Sequence, residues 1–391
     1  SNQLLHYCKL IAVFYKIEKN VIQHTTMSEI IDQLTSGTFT GDVNELFMNS
    51  IEYGYVEIIK LLLKDSRADP GTRDNYPIKY ASQNGYTEVV KLLLEDSRVD
   101  PTAQNNYAIK LASKNGYTEV VKLLLADYRV DPSATINFAI RWASERGHIE
   151  VVDLLLADSR VDPCANNNCA IKLASRNDHA EVVELLLKDS RADPAAEDNY
   201  AIRWASQCGH TEVVELLLKD PRVDPKSLGD YAIKLASRNG HAGVVKLLLK
   251  DSRVDPSSDN NYAIRWAAGL GLFGTEVVER LLKDPRVDPI RGRAVDMAAR
   301  DERIEMVKLL LNFLKYRFNF ANFIELLTNP LKESTIRIES ELSIGGRVIP
   351  REIMGLLISH VVKYQWHIKL FLVQHLTIDL MTQINYLIAA S

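Results

Sequence analysis

Apolar and polar residues follow one pattern that recurs every 31 residues. From Asn106 to Pro132 the chain reads NYAIKLASKNGYTEVVKLLLADYRVDP, and variants of this repeat fill more than half of the sequence. Asp-Pro pairs close the repeats, with prolines at Pro70, Pro101, Pro132, Pro163, Pro194, Pro225 and Pro256, and at Pro289 after 33 residues. A fixed period of this length is typical of stacked structural repeats.

Each repeat contains two short amphipathic helices. Their apolar stripes are Ala108, Ile109, Leu111 and Ala112 in the first helix and Val120, Val121, Leu123, Leu124 and Leu125 in the second. Asn115-Gly116 lies between the stripes and predicts a turn. One such repeat buries too little apolar surface to offset the conformational entropy of ordering its backbone, so the repeats must stack on one another.

The second helix carries a family resemblance. Gly116 to Leu125 and Gly209 to Leu218 read Gly-Tyr/His-x-Glu-Val-Val-x-Leu-Leu-Leu, each preceded by Ala-Ser. This motif resembles the ankyrin repeat over roughly residues 42–311, about nine copies. The resemblance implies an all-α ankyrin-repeat solenoid of about nine helix pairs with a small helical C-terminal domain. It also implies a scaffold that binds a partner protein along its concave face.

The repeats depart from the usual ankyrin pattern at their start. Tyr107-Ala108-Ile109-Lys110 stands where ankyrin repeats usually read Thr-Pro-Leu-His, so the hydrogen bonds of that Thr and His between repeats are not expected. Each repeat is also about two residues shorter than the usual ankyrin length. Asp-Pro followed by small polar residues predicts type I turns in place of long hairpin fingers. We predict that a fixed Asn or Asp before each first helix is its N-cap: Asn75, Asn106, Asn137, Asn168, Asn199, Asp230 and Asn261.

The period divides the chain into three predicted domains. Residues 1–41 form an N-terminal helical leader or cap, with Met27 as an alternative natural start, and charged residues interrupt its apolar face, which excludes a membrane span. Residues 42–311 form the ankyrin-repeat array and residues 312–391 a helical C-terminal domain with breaks at Asn329-Pro330 and Gly345-Gly346.

The C-terminal domain contains a second resemblance. Val348 to Ile358 is similar to the opening of an F-box, and ankyrin arrays with such an ending occur in some large DNA viruses and intracellular bacteria, where they recruit a host ubiquitin ligase. The alternative function is therefore a substrate receptor of a ubiquitin ligase. The other interpretation of Pro350 is the first turn of an ordinary helix.

Charge and cysteine usage limit the partners and the compartment. The formal net charge of −4 argues against a nucleic-acid-binding surface. The four cysteines, Cys8, Cys164, Cys169 and Cys208, show no paired framework, and no Asn-x-Ser/Thr glycosylation acceptor is present. We expect an intracellular, cytoplasmic monomer, located in the host cytoplasm if the source is a virus or an intracellular bacterium.

No constellation in the sequence predicts catalysis or a metal site. His148, His179, His210 and His241 recur 31 residues apart, and the diameter of a helix keeps such positions separate, so they are interpreted as structural turn residues. Gly269 to Gly274 match GxGxxG, but a predicted helix precedes them instead of a strand, which indicates a longer inter-helix turn. We therefore expect no enzymatic activity, no cofactor, and no catalytic or metal-binding residue.

The candidate binding residues follow a two-repeat alternation of Lys-Leu with Arg-Trp. Tryptophan and arginine are common interface hot spots. The partner-binding candidates are Lys110, Arg141, Trp142, Lys172, Arg203, Trp204, Lys234, Arg265 and Trp266. The alternative interpretation is duplication of a two-repeat block, with Trp filling the slot of Leu. A second series, Arg67 to Arg286, is flanked by aspartates and is interpreted as a solvated edge of little energetic weight.

Overall fold

The computed structural model describes residues 27–289, 293–301, 303, 305–310, 313, 343–344 and 347–348. Residues 1–26 and most of 312–391 lie outside this range, including residues 349–358 of the F-box-like segment. The bounds of the three predicted domains therefore remain predictions.

The described chain is helical in every repeat. The helices are α1 (Met27–Ser36), α2 (Val43–Tyr53), α3 (Val56–Lys64), α4 (Thr72–Asn84), α5 (Thr87–Glu95), α6 (Ala103–Asn115), α7 (Thr118–Ala126), α8 (Ala134–Arg146), α9 (Ile149–Ala157), α10 (Ala165–Arg176), α11 (Ala180–Lys188), α12 (Ala196–Cys208), α13 (Thr211–Lys219), α14 (Ser227–Arg238), α15 (Ala242–Lys250), α16 (Ser258–Gly269), α17 (Leu272–Leu282) and α18 (Ala294–Arg300). Residues 305–310 are also helical. None of these described helices combines the length and the apolar character needed to cross a membrane.

Two short strands flank Gly345-Gly346, where the sequence predicts a break; these two glycines lie outside the described residues. β1 (Ser343–Ile344) pairs antiparallel with β2 (Arg347–Val348), with Ser343 opposite Val348 and Ile344 opposite Arg347.

The chain divides into two compact units. Of the described residues, unit one contains those up to residue 174 and residues 184–192, and unit two contains residues 175–183 and those from residue 193 onward. Within unit one the first helices of successive repeats, α4, α6 and α8, pack side by side, as do the second helices α5, α7 and α9. Unit two repeats this arrangement with α12, α14, α16 and α18, and with α13, α15 and α17. The prediction of stacked helix pairs is confirmed within each unit.

Six positions of the two helices in each repeat belong to the core. In the repeat of α6 and α7 these are Ala108, Ile109, Ala112, Val120, Val121 and Leu124, all at most 1 % exposed. Leu111, Leu123 and Leu125 are only half-buried, so the buried stripe is narrower than the apolar pattern suggested. Each core side chain therefore sits between two neighbouring repeats, which supplies the burial that a single repeat lacks.

The predicted type I turn connects the repeats. The N–H of Ala103 donates to Asp100 O at 3.4 Å, and Thr102 has φ −90° and ψ −5°, the dihedrals of the third turn position. The Asp100 carboxylate accepts the N–H of Thr102 at 2.9 Å, which fixes the turn. Short turns thus stand where long hairpin fingers would project.

A left-handed segment that the sequence did not predict follows each turn. Gln104, Asn105 and Asn106 have φ of 54°, 56° and 59° inside the bounds of α6, and the right-handed helix begins after them. We call this segment the tip. Asn, Asp and Gly dominate the tips because they tolerate the left-handed region at the least steric cost.

The fixed Asn ends the tip and ties neighbouring repeats together, so its predicted role as an N-cap is wrong. The Asn106 side-chain oxygen accepts the backbone N–H of Asp131 in the next repeat at 2.7 Å. Its left-handed backbone turns the side chain away from its own helix. The same bond joins Asn75 to Asp100, Asn137 to Asp162, Asn199 to Asp224, Asp230 to Asp255 and Asn261 to Asp288.

The arginine series also links repeats, which corrects its interpretation as a solvated edge. Arg129 chelates the Asp127 carboxylate through Nε and Nη2 at 3.0 and 2.6 Å. Its Nη1 donates to Val99 O at 2.9 Å and its Nη2 to Leu94 O at 3.2 Å, both in the preceding repeat. The side-chain hydrogen bonds from Arg129 hold the pKa of Asp127 below its usual value.

Candidate partner-binding face

The turn histidines occupy separate backbone sites and do not converge. Nε2 of His148 lies 3.0 Å from Lys114 O, and Nε2 of His241 lies 2.9 Å from Gln207 O, each in the preceding repeat. A Cβ added at Gly116 would meet the His148 ring at 2.6 Å, so the ring needs glycine there. Their interpretation as structural turn residues is confirmed for these two.

The described residues show no arrangement for metal or dinucleotide chemistry. They contain no group of three His, Cys, Asp or Glu side chains that could hold a metal ion. Cys164, Cys169 and Cys208 are free thiols. The GxGxxG stretch begins where α16 ends and continues into α17, so it is the inter-helix turn that the sequence predicted.

In each compact unit, the tips and the solvent-facing sides of the first helices form what we call the first-helix face. The buried sides of the same helices belong to the core, and the second helices occupy the other layer of each unit. All nine candidate residues are in first helices: Lys110, Arg141, Trp142, Lys172, Arg203, Trp204, Lys234, Arg265 and Trp266.

The lysines of this face are bound to the tips. Lys79, Lys110, Lys172 and Lys234 are at most 9 % exposed. Lys110 Nζ donates to Thr135 Oγ1 of the next tip at 3.0 Å, and burial lowers the pKa of Lys110. Lys234 forms an ion pair with Asp259 of the next tip. These lysines set the positions of the tips, and their own ammonium groups offer little surface to a partner.

The arginines at the alternate positions bind the carbonyl groups of their own tips. Arg141 Nη1 donates to Ile136 O at 3.1 Å. Arg203 Nε donates to Asp198 O at 2.8 Å, and its Nη2 donates to Glu197 O at 2.9 Å. Because the side chains are half-buried, they both stabilise the tip and keep part of the guanidinium at the surface.

Each tryptophan of the alternation lies against an aromatic ring of its own helix. The Phe138 and Trp142 rings stack with centroids 4.8 Å apart, and Tyr200 and Trp204 stack at 5.3 Å. Tyr262 and Trp266 are 5.7 Å apart. The three tryptophans are half-buried, so one edge of each ring remains accessible. Such rigid aromatic surface is what interface hot spots use.

A cation from the preceding repeat lies over each tryptophan, a contact that the sequence reasoning missed. Lys114 Nζ is 3.9 Å from the Trp142 centroid in unit one. In unit two, Arg176 Cζ is 5.5 Å from Trp204. Arg238 Cζ is 5.1 Å from Trp266. These distances are those of cation–π pairs.

The alternation could have revealed these pairs. Lys114, Arg176 and Arg238 end the first helices of the Lys-Leu repeats, one repeat before each tryptophan. The matching positions of the Arg-Trp repeats are Glu145, Gln207 and Gly269. The basic residue and the tryptophan therefore recur together. Duplication of a two-repeat block preserves them as a pair.

The first-helix face is basic although the whole chain is acidic. Helices α4, α6, α8, α10, α12, α14 and α16 contain twelve basic residues against six acidic ones. The second helices from α5 to α17 contain seven basic residues against eleven acidic ones. The net charge of −4 thus conceals a separation of charge between the two layers of helices.

The repeats match one known protein family. The family described as Ankyrin repeats (3 copies) matches the chain at residues 47–136, 109–198 and 195–260. These matches together cover residues 47–260, more than half of the sequence. No curated protein matches the chain.

Proposed function

Because the chain belongs to the ankyrin-repeat family, whose repeats are protein-interaction modules, we propose that it is a non-catalytic, intracellular scaffold that binds a partner protein. The partner lies on the first-helix face, and the chain acts as a monomer. The observation that supports this proposal is that tryptophan and arginine side chains of the first helices are half-exposed, whereas the opposite sides of these helices are buried.

The contacts of the structure refine the proposed binding residues. Trp142, Trp204 and Trp266 are the proposed anchors, with Arg141, Arg203 and Arg265 beside them. Tyr107 and Tyr231 are each 40 % exposed and extend the aromatic surface. Lys110 and Lys234 act through the tips that they hold in place, which is an indirect contribution to the same face, and Lys172 is buried at the equivalent position.

The chain itself offers a substitution that tests the anchors. Leucine fills the tryptophan slot in the Lys-Leu repeats, as Leu173 and Leu235 show, so Trp142→Leu, Trp204→Leu and Trp266→Leu together should preserve the fold. We expect this triple variant to bind a partner isolated from a eukaryotic lysate more than about tenfold more weakly, at an unchanged melting temperature.

Tyr128→Ser is the matched control. Tyr128 is 91 % exposed next to Arg129, and most repeats have serine at this position, as at Ser97. If Tyr128→Ser loses binding while the triple tryptophan variant binds fully, the partner does not bind the first-helix face and the proposal is contradicted.

The alternative function is a substrate receptor that recruits a ubiquitin ligase through the F-box-like segment at residues 348–358. It is supported by the sequence resemblance of that segment alone. Co-purification of cullin adaptors with the full chain, lost on Pro350→Ala, would establish it, and their absence would leave the scaffold without this activity.

A further inference from the structure

We propose that Arg176 and Arg238 are two carboxylate anchors for an extended acidic segment of the partner, and that Lys114 is their counterpart in unit one. This proposal rests on the proposed function, since it names the chemistry that the first-helix face recognises. It concerns three residues that were not among the candidates from the sequence.

These three cations have no carboxylate partner among the described residues. Within the part of the chain that the structure describes, no Asp or Glu oxygen lies within 4.0 Å of the side-chain nitrogens of Lys114, Arg176 or Arg238. Their basic neighbours on the face are engaged, Lys234 with Asp259 and Arg203 with two tip carbonyls. Arg176 and Arg238 are exposed, so a partner can reach them.

The tryptophans hold these cations in place. Arg176 lies over Trp204 and Arg238 over Trp266, which restricts two otherwise mobile side chains. A guanidinium over an aromatic ring keeps its edge N–H donors free for a bidentate carboxylate. A restricted side chain loses less conformational entropy on binding than a free one.

The surroundings and the spacing of these cations favour an acidic peptide over a nucleic acid. Each tryptophan already has an aromatic neighbour and a cation against its ring, which limits the ring surface that a base could stack on. The anchors recur every second repeat, roughly 20 Å apart if each repeat occupies one helix diameter. Phosphates follow one another at about 3.4 Å along a strand, so these few fixed cations match a nucleic acid poorly.

The repeat spacing predicts the spacing of the carboxylates. An extended peptide advances about 3.3–3.6 Å per residue. Acidic residues about six positions apart would therefore reach Arg176 and Arg238 together. Both belong to unit two, so this spacing concerns one compact unit alone.

The test uses the full chain and labelled peptides in fluorescence anisotropy at near-physiological salt. One peptide carries two pairs of glutamates six residues apart in a neutral background, and the second has the same composition with the pairs three residues apart. We expect tighter binding of the first peptide, and about tenfold weaker binding by the Arg176→Gln/Arg238→Gln variant. Arg176→Lys/Arg238→Lys, which keeps the charge but not the bidentate geometry, should fall between the two.

The charge-matched control is Lys246→Gln/Lys250→Gln, which removes two exposed cations from the second helix α15. It should bind the peptide as the unmodified chain does, and all variants should share one melting temperature. The proposal is overturned if the acidic peptide does not bind, if control and anchor variants lose equal affinity, or if a single-stranded oligonucleotide of equal charge binds more tightly. If the partner's binding still depends on the three tryptophans in that case, the proposed function stands and only the assignment of the carboxylate anchors is rejected.

Discussion

Substituting Asn106 tests whether the tips hold the repeats together. Alanine at this position removes the oxygen that accepts the Asp131 N–H at 2.7 Å, at a residue only 8 % exposed. Leaving a buried donor unpaired costs about 1–3 kcal/mol. Alanine must also adopt φ of 59°, which adds about 1 kcal/mol. The expected loss of about 2–4 kcal/mol exceeds the ~1 kcal/mol of a lost N-cap.

Two further substitutions separate the two contributions. Asn106→Gly accepts the left-handed backbone without strain and loses only the hydrogen bond, so its destabilisation should be smaller than that of alanine. Asn106→Asp retains an acceptor, as Asp230 does at 2.7 Å from the amide nitrogen of Asp255. The Asp131 amide should therefore stay protected in this variant.

Amide hydrogen exchange, followed residue by residue by NMR, is the decisive assay. Asn106→Ala should accelerate exchange of the Asp131 amide selectively, in the repeat after the substitution. If the Asp131 amide exchanges at its original rate while the amides of Ala108 and Ile109 accelerate, the side chain caps its own helix and the reasoning is refuted.

Three more predictions concern single positions. Ile136→Asn should stabilise the chain by about 1 kcal/mol, seen as a higher melting temperature, because Ile136 is a β-branched residue held at φ of 57°. Ser113→Ala should raise the free energy of unfolding by up to ~1 kcal/mol, seen as a higher denaturant midpoint, because its buried hydroxyl has no hydrogen-bond partner among the described residues, and Ala268 fills the equivalent position. Asp230→Asn should stabilise at pH 7, because burial raises the pKa of Asp230 above its unfolded value. The gain in stability should be full above the folded pKa of Asp230 and should disappear as the pH falls towards the unfolded pKa of about 3.9. Denaturation at pH 7 and at a pH near the unfolded pKa measures this difference.

The repeat architecture could be predicted because its signals are local. The 31-residue period, the two apolar stripes and the Asp-Pro turn each depend on residues a few positions apart. Thr102 occupies the turn position that its neighbours Asp100 and Pro101 dictate. The left-handed tips were also signalled locally, by Asn105-Asn106 and its equivalents, but three successive residues of this conformation are rare enough that a cap is the more obvious interpretation.

The bonds between repeats could not be predicted because periodicity hides their direction. A residue that recurs in every repeat stands at a fixed spacing from its own helix and at a fixed spacing from the equivalent helix of the next repeat. The sequence therefore does not show which of the two repeats it bonds to. Asn106 therefore resembled an N-cap, and Arg129 with its adjacent aspartates resembled a surface ion pair. Their partners lie 25–35 positions away, at Asp131, Val99 and Leu94.

The binding face was predicted in part. Trp142, Trp204 and Trp266 could be selected by residue type, but burial of Lys110 and Lys234 depends on how closely the next tip approaches. The basic character of the face emerges only when residues are assigned to the two layers of helices. The net charge of the chain is an average over both layers, and its sign is opposite to that of the first-helix face.

The central claim is that a partner binds the first-helix face, and a hydrogen-exchange footprint of the complex tests it most directly. We predict slower exchange on binding in the tips and first helices, such as residues 103–115 and 196–208, with residues 118–126 and 211–219 of the second helices unchanged. Protection confined to the second helices or to residues 312–391 would contradict the account.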